Sequence, residues 1–204
     1  MIAEPMTMLT DYVLAGVTAW LAYRLSGPRE GHRARSYWAL AFAALALGAL
    51  LGGTWHGFAP GFSELALILV WKATVLSIGV ASFGMLAGSA IATTPPAVAN
   101  ALLAIAAAKL VIYSGWMLFH SEYVYVIADT GAALAAIAAL HGWSAIRARD
   151  RASPWILLGV GVSALAAAAQ ASGFAPHRHF NNNDLYHVIQ IAAMLLFYSG
   201  AKRL

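Results

Sequence analysis

Apolar residues run along this chain in long stretches, with polar or helix-breaking residues at set places between them. The pattern predicts helices over 8–25, 36–58, 63–91, 97–119, 122–147, 153–174 and 184–204. Each approaches the ~20 apolar residues that carry an α-helix across a bilayer. Ser26-Gly27-Pro28 ends the first, Ala59-Pro60-Gly61 the second, Pro95-Pro96 divides the third from the fourth, and Ser153-Pro154 opens the sixth. Proline lacks an amide donor and glycine relaxes the backbone, so both punctuate helices. Only His120-Ser121-Glu122 divides the fourth from the fifth. Asn183 or Asp184 is expected to cap the last helix by accepting an orphan amide.

Composition turns this pattern into a class. Hydrophobic residues make up 61% of the 204 and charged residues 10%, against roughly a quarter charged in a soluble domain. The expected fold is therefore all-α, a single integral membrane domain over 1–204 built as a polytopic bundle of seven transmembrane helices. The absence of cysteine removes disulfides, thiolate metal sites and Cys nucleophiles from consideration. The first residues hold Glu4 and Asp11 but no basic group, so the first apolar stretch is expected to be a retained helix rather than a cleaved signal.

Charge orients the bundle. With the N-terminus outside, the inner turns hold Arg24, Arg29, Arg33, Arg35, Arg147, Arg149, Arg151, Lys202 and Arg203, and the outer turns only Arg178. The excess of Lys and Arg on inner loops predicts N-out and C-in, which needs an odd number of spans. The net charge of +4 then faces anionic lipid and gives no reason to expect nucleic acid. The expected location is a bacterial inner (plasma) membrane, with membrane lipid as the surrounding partner and the oligomeric state open.

Ionisable side chains gather on one side of this topology. His56, Glu64, His120, Glu122, His177, His179, Asp184 and His187 fall at or near the outer turns. Such groups are costly beside hydrocarbon, so their convergence points to a site. At ~1.5 Å per residue, Lys72 lies ~12 Å below Glu64, Asp129 ~10 Å below Glu122, and Lys109 ~16 Å below His120. Asp129 with Lys72 or Lys109 makes a neutralising pair. Asp184 stands three residues before His187, near enough on a helix to orient its imidazole, and Gln190 lies one further turn down. Imidazoles and carboxylates without thiolates suit zinc or another divalent cation.

This layout resembles the CREST superfamily, which contains alkaline ceramidases and the progestin and adipoQ receptors. Its members have seven helices, a histidine ending the second, an acid early in the third, and histidines in the seventh. His56, Glu64 and His187 occupy those places here. Where the family has a serine four residues before the second-helix histidine, this chain has Gly52. Where it has two histidines four apart in the seventh helix, only His187 is present. The resemblance implies a metal-dependent membrane hydrolase acting on a lipid amide or related lipid. His56, His187 and His179 would be the ligands, and Glu64 or Asp184 would handle the attacking water. Asp129, Lys72, Lys109 and Gln190 would form the supporting polar shell.

Two other classes fit the same residues. One is a non-enzymatic seven-helix receptor-like sensor or binder of a lipid or small molecule, with Lys72 and Lys109 meeting an anionic group. The other is a haem or quinone redox protein, which usually needs histidines deep within facing spans. A retinal protein is not expected, because the last helix has no lysine at mid-span.

Overall fold

A computed structural model describes residues 2–27, 33–148 and 150–204. Pro28, Arg29 and Arg149 of the sequence reading lie outside them. Among the described residues seven helices account for nearly all regular structure: α1 (Pro5–Leu25), α2 (Arg33–Phe58), α3 (Glu64–Thr93), α4 (Pro96–Phe119), α5 (Tyr123–Arg147), α6 (Ser153–Ala171) and α7 (Asn182–Ala201). One 3₁₀ turn, Ala59–Gly61, follows α2. The fold is all-helical, as the apolar pattern predicts.

The boundaries carry the chemistry expected of them. Pro5, Pro96 and Pro154 sit in first turns, where a missing amide hydrogen costs nothing. Ser63 caps α3 through its side-chain oxygen. The cap of α7 corrects the sequence reading: it is Asn181, not Asn183 or Asp184. Asn181 accepts from the amides of Asn183 and Asp184, and the Asp184 carboxylate accepts from the Asn181 amide. The run of three asparagines hid this, because any of them can serve as a cap and only the reciprocal partner at the third helical position selects one. The sixth helix ends at Ala171, short of the predicted 174, where Gly173 takes a left-handed turn.

α1 packs on α2 and α7, α2 on α3, α3 on α4 and α5, α5 on α6, and α6 on α7. The largest core cluster, with Leu21, Trp38, Phe42, Ile137, Ile156, Met194 and Phe197, lies inside this ring. A smaller one, Val75, Tyr113, Met117 and Val126, joins α3 to α4 and α5. Small residues set the spacing: a Cβ on Gly84 would stand 2.7 Å from the Tyr37 carbonyl oxygen, so α2 and α3 meet backbone to backbone there.

The outside of the bundle is oily. Val111, Ile112, Phe119 and Ile146 are each more than two-thirds exposed, a surface that water would not tolerate. Among the described residues five helices, α2 through α6, are long and apolar enough to cross a membrane. This is a membrane protein. α1 and α7 are more polar, and they pack against each other.

The end of the bundle that carries the C-terminus has its own organisation. Arg24, Arg147, Lys202 and Arg203 lie over Trp20, Trp143, Tyr198 and Trp155, an amphipathic arrangement suited to a membrane interface. Asp150 holds the α5–α6 turn, accepting from Ser144 Oγ at 2.7 Å and from the amides of Ala152 and Ser153 at 2.9 and 2.7 Å. Burial pushes this carboxyl up, but the hydrogen bonds from Ser153, Ser144 and the two amides outweigh it and hold it below the ordinary carboxylate value. A carboxyl depressed on folding lends stability above its unfolded pKa of ~3.9 and loses it as pH falls through the lower folded value. Asp150→Asn is therefore expected to flatten the acid limb of a melting-temperature profile below about pH 4. An unchanged limb would show that the turn does not depend on the charge.

Candidate functional site

The N-terminal end of the bundle holds a buried polar cluster built mainly from α1 and α7. Thr7, Thr10, Asp11 and Leu14 recur at helical spacing on the buried face of α1. The cap at Asn181 sets the phase of α7 so that His187, one turn in, turns toward that face. His187 Nε2 lies 3.2 Å from Asp11 Oδ1, and Nδ1 lies 3.0 Å from Thr10 Oγ1. Asp11 and His187 are 5% and 8% exposed.

One assignment of the protons satisfies every contact. The Thr10 hydroxyl donates its one hydrogen to the Thr7 carbonyl at 3.0 Å. Toward His187 it can then only accept, so Nδ1 carries a hydrogen. One proton remains between Nε2 and Asp11, sitting either on the carboxyl, as O–H···N, or on the ring, as N–H···O. In that assignment Asp11 and His187 share a single proton.

The surroundings add negative charge. Asp184 lies within electrostatic range of Asp11; one of its oxygens serves the α7 cap, while Oδ1 is buried without a partner. Thr7 Oγ1 is likewise buried and unpartnered. His56, at the end of α2, lies within electrostatic range of His187, and its Nδ1 pairs with Glu4 at 3.0 Å. Gly52 looks into the same space: a Cβ there would stand 3.6 Å from Asp11 Oδ2 in ordinary contact.

The sequence reading placed Asp184 beside His187 as its orienting carboxylate. In the structure that partner is Asp11, because Asp184 is engaged in capping its own helix. Asp11 and Thr10 were missed as site residues because the first helix was started at residue 8, which left Asp11 near a turn. With the helix beginning at Pro5, Asp11 lies about 9 Å inside it. A carboxylate at that depth in an apolar helix was the available signal.

The remaining expected residues fall elsewhere. His179 is exposed on the α6–α7 loop, its amide donating to His177 Nδ1 at 3.2 Å. His120 stacks on Trp116 at 3.9 Å. Glu122 accepts the Ser121 amide, and backbone amides, its own first and then that of Ser121, hold its carboxyl below the usual range. Glu64 is exposed on the first turn of α3, where its charge complements the helix dipole.

Both lysines are committed. Lys72 donates to the carbonyls of Met117 and His120 and to Ser121 Oγ, at 2.7, 2.5 and 3.0 Å, and so caps the C-terminus of α4. Lys109 pairs with Asp129 at 2.5 Å and also donates to Ser82 Oγ. Gln190 donates to Ser163 at 3.3 Å, tying α7 to α6. Among the described residues, no group of three or more His, Asp or Glu is spaced to hold a metal ion.

The fold and this cluster define an all-helical membrane protein with a buried aspartate–histidine pair. Residues 6–204 match a family described as "Family of unknown function (DUF6962)", and the chain belongs to that family. No curated protein matches it.

Proposed function

We propose that this protein is a receptor-like sensor or binder in the bacterial inner membrane, with seven spans, the N-terminus outside and the C-terminus inside. Its outer-half cluster takes a small cation, a metal ion or a protonated amine, in exchange for the shared proton. The observation that carries this is the double engagement of His187. With Nδ1 on Thr10 and Nε2 on Asp11, the ring offers no free lone pair while the proton stays between it and the carboxylate. Asp11, Asp184 and Glu4 make the surroundings acidic, which favours positive charge. The orientation rests on the Arg-rich turns and the cation–aromatic pairs at the C-terminal end.

The test is proton release. Purified protein in weakly buffered detergent is titrated with zinc chloride and, separately, with methylammonium chloride while pH is followed. Release of about one proton per bound cation, lost in Asp11→Asn, is the expected result. Cation binding without release, or release that persists in the variant, would sink the exchange.

A second reading, the CREST-like lipid amide hydrolase, is favoured by one observation. Among the described residues His56 Nε2 has no hydrogen-bond partner, and the ring lies within electrostatic range of His187. As they stand, these two rings with Asp11 or Asp184 are not spaced to hold a metal ion; zinc or another divalent cation would need them to close around it, and would supply an activated water when bound. His179 would have to come in from its loop to complete the set. Turnover of a fluorescent ceramide with added zinc, lost in His56→Ala, would support this reading over the first.

A further inference from the structure

The opposite end of the bundle holds a second polar cavity, and none of the chemistry above uses it. It is a cleft of about 330 Å³ lined by Arg33, Arg151, Arg203, His141, Asp150 and Thr93 among others. At ~30 Å³ per water it has room for roughly ten waters. Three arginines from three separate segments line it, at the start of α2, in the α5–α6 turn and at the end of α7.

Two features separate this cleft from an ordinary solvated basic rim. The first is His141, fully buried on α5. Its Nδ1 lies 2.8 Å from Ser153 Oγ, while Nε2 is buried with no hydrogen-bond partner. A buried polar atom without a partner is costly, and His141 is one of the residues that line the cleft, so its unmet nitrogen marks a place where a ligand atom belongs. The second is the state of Asp150. Its oxygens are taken up by Ser144 and the amides of Ala152 and Ser153, so it does not neutralise any of the arginines by direct contact. Arg203 lies over Trp155 and donates to the Ser199 carbonyl, which holds its guanidinium in place beside the cleft. The start of α2 and the end of α3 both line the space, and their dipoles offset. The arginines therefore set its sign.

We propose that this cleft binds a phosphate group, with Arg33, Arg151 and Arg203 contacting its oxygens and His141 Nε2 forming the innermost hydrogen bond. Guanidinium forks match phosphate oxygens in geometry as well as charge. A protonated imidazole donates to a phosphate oxygen, and a neutral one accepts from a phosphate hydroxyl, so either state is satisfied. The phosphate can be a free ion or the headgroup of a lipid in the adjoining leaflet.

The experiment uses the full chain. Calorimetric titration with inorganic phosphate is run in neutral detergent. In parallel, native mass spectrometry follows retention of phosphatidic acid against phosphatidylcholine from mixed micelles. Saturable binding in the first arm identifies a free phosphate site. Retention of phosphatidic acid alone identifies a headgroup site. Arg151→Gln and Arg203→Gln are each expected to weaken whichever binding is seen by about tenfold, and His141→Gln to a similar degree. Arg147→Gln and Lys202→Gln remove the same charge outside the cleft and are expected to leave it unchanged. Because Arg151 and Arg203 are exposed, their variants keep the test informative even if His141→Gln fails to fold. Absence of binding in both arms overturns the proposal, as does equal weakening by the two control variants.

Discussion

Lys109→Met is expected to destabilise the protein by about 3–5 kcal/mol, the usual result of stripping one partner from a buried ion pair. Asp129 is only 6% exposed and its second oxygen, Oδ2, already lacks a partner. Without Lys109 the carboxylate would remain in a membrane-spanning segment with no counter-charge, where charge is costly. The matching double variant, Lys109→Met with Asp129→Leu, is expected to recover most of the loss, because a buried pair and its apolar replacement are often close in energy. Thermal unfolding in detergent of the wild type, both single variants and the double variant measures the coupling. Additive losses would show that the pair does not act as a unit.

The second large effect separates two substitutions at one residue. Asp11→Ala leaves His187 Nε2 buried without a partner and is expected to cost about 2–3 kcal/mol. Asp11→Asn can present an amide N–H to the same nitrogen, copying the state with the proton on the carboxyl. It is expected to remain within about 1 kcal/mol of the wild type. Stability and proton exchange then come apart: Asn keeps the fold and loses the exchange. Equal destabilisation by both substitutions would mean that the hydrogen-bond assignment through Thr10 is wrong. Equilibrium unfolding, read beside the proton-release titration, distinguishes the outcomes.

The helices were legible because hydrocarbon imposes a severe rule on sequence. Apolar stretches had to be long, and Pro, Gly and Ser had to stand between them. All seven predicted stretches coincide with helices to within three residues at each end, even at the bare His120-Ser121-Glu122 break. Asp129 with Lys109 was one of two pairings open to the sequence, since depth admitted Lys72 as well. The structure selects Lys109 because Lys72 is spent on the end of α4. The site was legible only in part. His56 and His187 were expected at one end, and they come within range of each other there. The direct partner of His187 was not foreseen, because which residues of α1 face α7 depends on rotation about the helix axis. Neither helix has a strongly one-sided apolar pattern to reveal that rotation. His179 shows the converse problem: proximity along the chain to His187 placed it in the site, but the loop carries it out to the surface.

The Lys109–Asp129 pair also constrains how the chain enters a bilayer. Its members are 20 residues apart, on consecutive helices. Synthesis at about 5–20 residues per second delivers Lys109 roughly 1–4 s before its counter-ion. During that interval a lone α4 would carry an unneutralised ammonium into lipid. α4 and α5 are therefore best released from the translocation machinery together, as a helical hairpin whose charges cancel before either stave is surrounded by acyl chains.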